Sequence, residues 1–302
     1  MKKDNLIIVG IVILLVVSGG LIYKNLSGPK KKVVQEKNNA AVEAVAEMAA
    51  NDKQILEEGK ASDAQLATSL KRLSFSDREA ILPFVEKYQK HNAPVVRAAA
   101  IEAAGALHST DLTKFLTEKL TSTDEVVRVA ALKGLMRHQG EQHHKIIEGF
   151  IAKQGSKATG DESLWAYLAL GKVSQNEKDR ATALTKLLND LGSDSLFSSM
   201  GTDRQEVAHQ VLNVFQGEQA VAALSRNILL KAKDIDLSTH ALQYLAAYDK
   251  DWLMGNIGTV PVRDSGTFQS EVVVFLGKTC PKGAKDVLGK IQAQYRKELA
   301  CP

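Results

Sequence analysis

A Val-Val-Arg followed by an alanine-rich run is written twice in this chain, and the recurrence constrains its fold more than any other feature. Pro94 to Leu107 reads PVVRAAAIEAAGAL and Glu125 to Leu135 reads EVVRVAALKGL, with Arg97 and Arg128 thirty-one positions apart. The register extends to three further segments when they are aligned on Val96, Val127, Leu164, Val207 and Leu237. Four positions on stand Ala100, Ala131, Leu168, Val211 and Ala241. Five on stand Ile101, Leu132, Ala169, Leu212 and Leu242, and seven on stand Ala103, Gly134, Gly171, Val214 and Tyr244. At about 100° per residue these apolar or small columns share one side of a helix. Three and six positions on point the other way. There the residues are Ala99, Ala130, Tyr167, Gln210 and His240, then Glu102, Lys133, Leu170, Asn213 and Gln243, mostly polar. The spacings between units are 31, 37, 43 and 30, with insertions in turns such as KQGSKATG and GSDSLFSSMG.

The flanking sequence fits helices. SDAQ (Ser62 to Gln65), SDRE (Ser76 to Glu79), STDE (Ser122 to Glu125) and TDRQ (Thr202 to Gln205) match the capping box, in which a hydroxyl and a side chain three residues on satisfy the first free N–H groups. Few β-branched runs alternate with period two, and aromatic residues make up only 5% of the chain. The body is therefore expected to be all-α, in helices of about ten to fifteen residues. Paired helices recurring at this period indicate an α-solenoid of helical hairpins. The pattern Asp124, Val127, Arg128, Ala131, Gly134, Leu135 resembles the HEAT repeat. The copy at Pro94 has Asn92 near the aspartate place, and Trp165, Ala208 and Ser238 replace the arginine in the other three. The resemblance spans Leu66 to Leu299. It implies that Arg97, Arg128 and Asp124 bond between neighbouring repeats, and that the face of the second helices binds other proteins.

The N-terminus has a different character. Leu6 to Tyr23, LIIVGIVILLVVSGGLIY, carries no charge. As a helix it would rise about 27 Å, close to a hydrocarbon core of about 30 Å. It is read as an uncleaved transmembrane anchor; the alternative is a signal peptide, although no clean A-x-A site follows. The expected organisation is a short tail (1–5), the anchor (6–23), a basic linker with an amphipathic helix (24–61) and the repeats (62–302). SGPKKKVVQEKNN is read as a polar linker within the third part. Residues 1–37 contain seven lysines against Asp4 and Glu36, so the net charge of +4 belongs to this end and residues 38–302 sum to −1. Such a body exerts no general attraction on phosphate, and no nucleic acid is expected as a partner. The very short N-terminal tail favours a body outside the cytoplasm, in the manner of a bacterial inner-membrane protein, while Lys24 and Lys30 to Lys32 favour the reverse. Cys280 and Cys301 could form one disulfide, which would suit an oxidising compartment. AKDVLGKIQAQYRKELA between them reads as one helix, however, whose ends would stand more than about 20 Å apart, against about 7 Å for bonded Cα atoms.

Little in the chain points to catalysis. HQGEQHH gathers His138, Glu141, His143 and His144, but it reads as a polar turn with no two histidines one helical turn apart. His108 ends one helix much as His138 ends the next. No nucleophile elbow, P-loop, dinucleotide fingerprint or C-x-x-C is present, so no catalytic, cofactor-binding or metal-ligating residue is assigned. Trp165 reads as core and Tyr167 as surface. The expectation is a membrane-anchored, non-enzymatic protein-interaction scaffold. The alternative is a nucleic-acid-binding or cofactor-attaching relative of the same repeat type. The candidate partner-binding stripe is Glu102, Lys133, Tyr167, Gln210, Asn213, His240 and Gln243.

Overall fold

A computed structural model describes residues 30–107, 109–154, 160–191, 202–280, 283–292 and 295; side chains of 30–41, 202 and 278 are outside that description. Among the described residues every regular element is a helix, as the register requires. The anchor stretch Leu6–Tyr23, His108, both insertions named above except their flanks, and Cys301 lie outside them. Among the described residues no helix is long and apolar enough to cross a membrane. The chain divides into two compact units between Leu112 and Thr113.

The first unit holds α1 (Lys30–Glu58), α2 (Asp63–Ser76), α3 (Leu82–Tyr88) and α4 (Pro94–Ala104). α1 begins at Lys30, so most of the segment read as a polar linker is helical. Lysine, glutamine and glutamate are good helix formers, and polarity alone did not distinguish a solvated helix from a linker. α1 packs on α2, and α2 on α4. Asp52 of α1 is fully buried, where Ser69 Oγ donates to it at 2.8 Å and Arg72 holds both carboxylate oxygens. The last carbonyls of α1 are also satisfied. Lys87 Nζ and the Tyr88 hydroxyl donate to Leu56 O at 2.8 and 2.7 Å, and the chain leaves through Gly59 at φ 63°, a left-handed position that suits glycine.

In the second unit the hairpins follow one another: α5 (Thr110–Lys119), which begins before the division, with α6 (Glu125–Leu135); α7 (Glu141–Gln154) with α8 (Gly160–Val173); α9 (Glu177–Leu191) with α10 (Thr202–Val214); α11 (Gln219–Lys231) with α12 (Ile235–Tyr248); α13 (Lys250–Asn256) with α14 (Gly266–Thr279); and a final α15 (Ala284–Lys290). The second helices form a row in which α6 packs on α8, α8 on α10, α10 on α12 and α12 on α14. The aligned columns are the reason. Every residue of the four-on and five-on columns is buried, as are the aligning residues and all of the seven-on column except half-buried Val214. Small residues in that column allow close approach. A Cβ on Gly171 would stand 2.3 Å from Phe215 Cζ, and Phe215 is itself buried. Gly171→Ala should therefore cost about 1–3 kcal/mol through overpacking. A melting temperature equal to wild type would mean the Phe215 ring has room to shift.

Arginines join consecutive repeats. Arg128 Nε donates to Glu162 Oε1 at 2.5 Å and Nη2 to Oε2 at 3.1 Å, while Nη1 reaches Ser122 O at 2.8 Å. The resemblance implied a bond from arginine to aspartate; here the buried acceptor is Glu162 of the next second helix. Asp124 caps α6, accepting from Val126 N at 2.9 Å, so in this box the aspartate takes the place expected of Ser122. Ser62 and Gln65 form the full reciprocal capping box. Ser76 does not cap, because α2 runs through it to its last residue. Arg97 Nη1 donates to His91 O at 2.9 Å, a bond within its own repeat. Arg180 spans repeats through carbonyls, reaching Gly171 O at 2.6 Å and Val214 O at 3.1 Å.

The C-terminal end departs from expectation. α15 stops at Lys290 and Ile291 is extended (φ −83°, ψ 141°), so one straight helix does not join the two cysteines. The apolar spacing through Val287 and Ile291 was legible, but burial of both at the turn uses it up and the chain breaks there. Cys280 is disulfide-bonded, and the chain's other cysteine is Cys301.

Candidate protein-binding face

The outward columns of the second helices are less uniform than their polarity suggests. Ala99 and Ala130 are 1% and 2% exposed, and Leu170 is buried too. Angle on the helix therefore does not decide exposure at these positions, where small or apolar side chains are covered. The polar candidates divide into two groups. Four are engaged with partners of the fold. Glu102 pairs with Lys71 at 3.5 Å within the first unit. Lys133, 11% exposed, lies 3.9 Å from the centroid of the Trp165 ring and pairs with Glu206 at 2.8 Å and Asp203 at 3.4 Å on α10. Gln243 donates to Glu271 Oε1 on α14 at 2.9 Å. His240 meets His209 of α10, with Nδ1 atoms 3.0 Å apart and stacked rings.

For the other three, Tyr167 on α8 and Gln210 and Asn213 on α10, no side-chain hydrogen bond or ion pair is present among the described residues. Tyr167 and Gln210 are half-buried and Asn213 is exposed. A phenol and two amides on adjacent helices thus present donors and acceptors that the fold does not use. Trp165 is core, as read from the sequence, and the Lys133 ammonium covers its face.

The structure adds residues that the alignment missed. His209 stands two positions past Val207 and was not in either outward column. A sixth register on Phe268, thirty-one residues after Leu237, continues with Val272 and Phe275 in the core and brings Glu271 and Val274 to the outward side. The same spacing that linked the first two copies would have found it.

Burial lowers His209, partly against the pull of Asp234, Asp236 and Glu206, and burial with the neighbouring His209 lowers His240 to about 4. The sign follows directly. The unfolded imidazole binds its proton near pH 6.5, the folded one only near 4, so stability is intact above 6.5 and falls as pH drops from 6.5 to 4. His240→Gln should remove a pH-dependent loss on the order of 2 kcal/mol, once solvent screening of this partly exposed ring is allowed for. Urea unfolding at pH 7 and pH 4.5 measures it; equal losses in both proteins would mean that the pair does not titrate with folding.

The histidine-rich segment is also altered. α7 begins at Glu141, so His143 and His144 belong to its first turn and not to a loop. His144 Nε2 lies 3.1 Å from Asp179 Oδ2, and the His138 and His143 rings are 5.3 Å apart. Among the described residues no group of three or more metal-ligating side chains converges.

A family model described as HEAT repeats matches residues 53–136 and, in a second placement, 81–152. These matches run from the end of α1 to α7; the later hairpins are similar in their packing and register. Comparison with curated proteins and with solved structures gives no match. The chain is thus a helical-repeat protein, of a kind that commonly serves as a protein-interaction scaffold.

Proposed function

We propose that the chain is a membrane-tethered, non-enzymatic scaffold that holds a partner protein on the outward face of its second helices. The observation that carries this reading is the group Tyr167, Gln210 and Asn213. Polar groups, two of them half-buried, with no partner among the described residues suit a surface that desolvates on contact, whereas a purely solvated face would carry more charge. Tyr167→Ala with Gln210→Ala should abolish partner capture from crosslinked membranes while leaving helicity and melting temperature near wild type. Retained capture would move the site to the loops or the opposite face.

The tether in this reading is Leu6–Tyr23, and the protein should stay with membranes through alkaline carbonate; release would remove the anchor. The body is placed outside the cytoplasm, a reading supported by the disulfide at Cys280, since oxidising compartments preserve such bonds. A maleimide-polyethylene glycol reagent should therefore modify the full-length protein from acid-quenched cells only after reduction. Modification without reductant would favour a cytoplasmic body.

A further inference from the structure

The outward face of the row is closed by side chains in its earlier seams and open in its last. Lys133 reaches across to Asp203 and Glu206, Arg204 pairs with Asp161 at 3.3 Å, and His209 meets His240. Between α12 and α14 the Gln243–Glu271 bond bridges the seam, and beside it lies a groove of about 380 Å³. Its apolar lining is Leu242, Ala246, Ala247, Val274 and Phe275. Two alanines leave the trough unfilled, and Val274 is 50% exposed, an apolar side chain turned to water at no benefit to the fold.

The groove is also polarised. Glu271 stands beside Gln243, while Lys250, the first residue of α13, and Thr279, the last residue of α14, follow these two residues by seven and eight positions and line the same groove. Lys250 is exposed and has no ion-pair partner among the described residues. Glu271 uses one oxygen for the Gln243 amide and keeps acceptor capacity for a further N–H.

We infer that this groove takes a short segment of a partner protein in which a few aliphatic side chains lie beside an aspartate or glutamate. The aliphatic groups cover Ala246, Ala247, Val274 and Phe275, and the carboxylate pairs with Lys250. A backbone N–H of the same segment reaches Glu271, which gives the segment a direction. The volume admits only a few side chains, so the occupant is a linear stretch and not a whole helix face. The inference rests on the scaffold reading and names the chemistry of the partner at a second place on the same face.

The test uses the full-length chain in its membrane, with a photoreactive benzoylphenylalanine at Ala247 or, in a second protein, at Asn213. The Ala247 probe should give crosslinked peptides from another protein, with aliphatic residues next to an acid. Lys250→Glu and Val274→Glu should each abolish them, while Lys285→Glu, at an exposed lysine outside the groove, should not. Crosslinks to lipid, to a second copy of this chain, or to peptides indifferent to Lys250→Glu would overturn the assignment. Crosslinking from Asn213 but not from Ala247 would discard the groove and keep the scaffold; silence at both positions would discard both.

Discussion

Arg128→Ala should destabilise the protein by about 3–5 kcal/mol, because it leaves a buried carboxylate without its counter-charge. Glu162 is 1% exposed, and the Arg128 side chain, itself 14% exposed, supplies both of its ion-pair bonds. Those bonds hold the guanidinium proton more firmly than usual, chiefly through the hydrogen bond to Glu162 and against the burial that opposes it. The loss reports the orphaned charge and not the worth of the pair. Replacing both residues by methionine should recover most of it, since apolar substitution of a buried ion pair is often neutral. Urea unfolding of the full-length protein in detergent, followed by far-ultraviolet circular dichroism, measures both variants. A single-variant loss below about 1 kcal/mol would show that water reaches Glu162, in the range typical of exposed pairs.

Ala131→Asp should be at least as damaging, costing about 3 kcal/mol or more. Ala131 has no exposed surface and belongs to the four-on column of α6, where α8 packs. An aspartate there must be buried as a charge, be protonated, or push the two helices apart. Asn213→Asp is the matching control, the same charge on an exposed position of α10, and should change stability by no more than about 0.5 kcal/mol. If the two variants melted together, the buried and outward columns would not differ in environment.

The register, the helical class and the buried columns were legible in the chain because they depend on local periodicity. A residue four positions on from Val127 lies on the same side of a helix whatever the helix packs against, so Ala131 could be assigned to the core before any neighbour was known. Trp165 was assigned to the core by the same logic. The capping box at Ser62 was readable for the same reason, since its two bonds close within four residues. Tertiary packing decided what local periodicity does not encode. Periodicity gives the direction of a side chain but not the distance to the next repeat. Lys133 and His240 were therefore grouped with Tyr167 until the approach of α10 to α6 and α12 gave them partners. Ala99 and Ala130 looked outward by angle alone, yet both are buried. The arginine's acceptor is thirty-four residues away at Glu162, and an aspartate was expected instead, because charge type can be read along a chain but contact at that separation cannot. The helix drawn between the cysteines failed on the same ground. An i, i+4 pattern continues through Ile291, but burying Ile291 where the backbone turns extended is a property of the packed end of the molecule. The open seam between α12 and α14 likewise exists only because two alanines and Val274, unremarkable in order along the chain, are brought side by side with Lys250 at their edge.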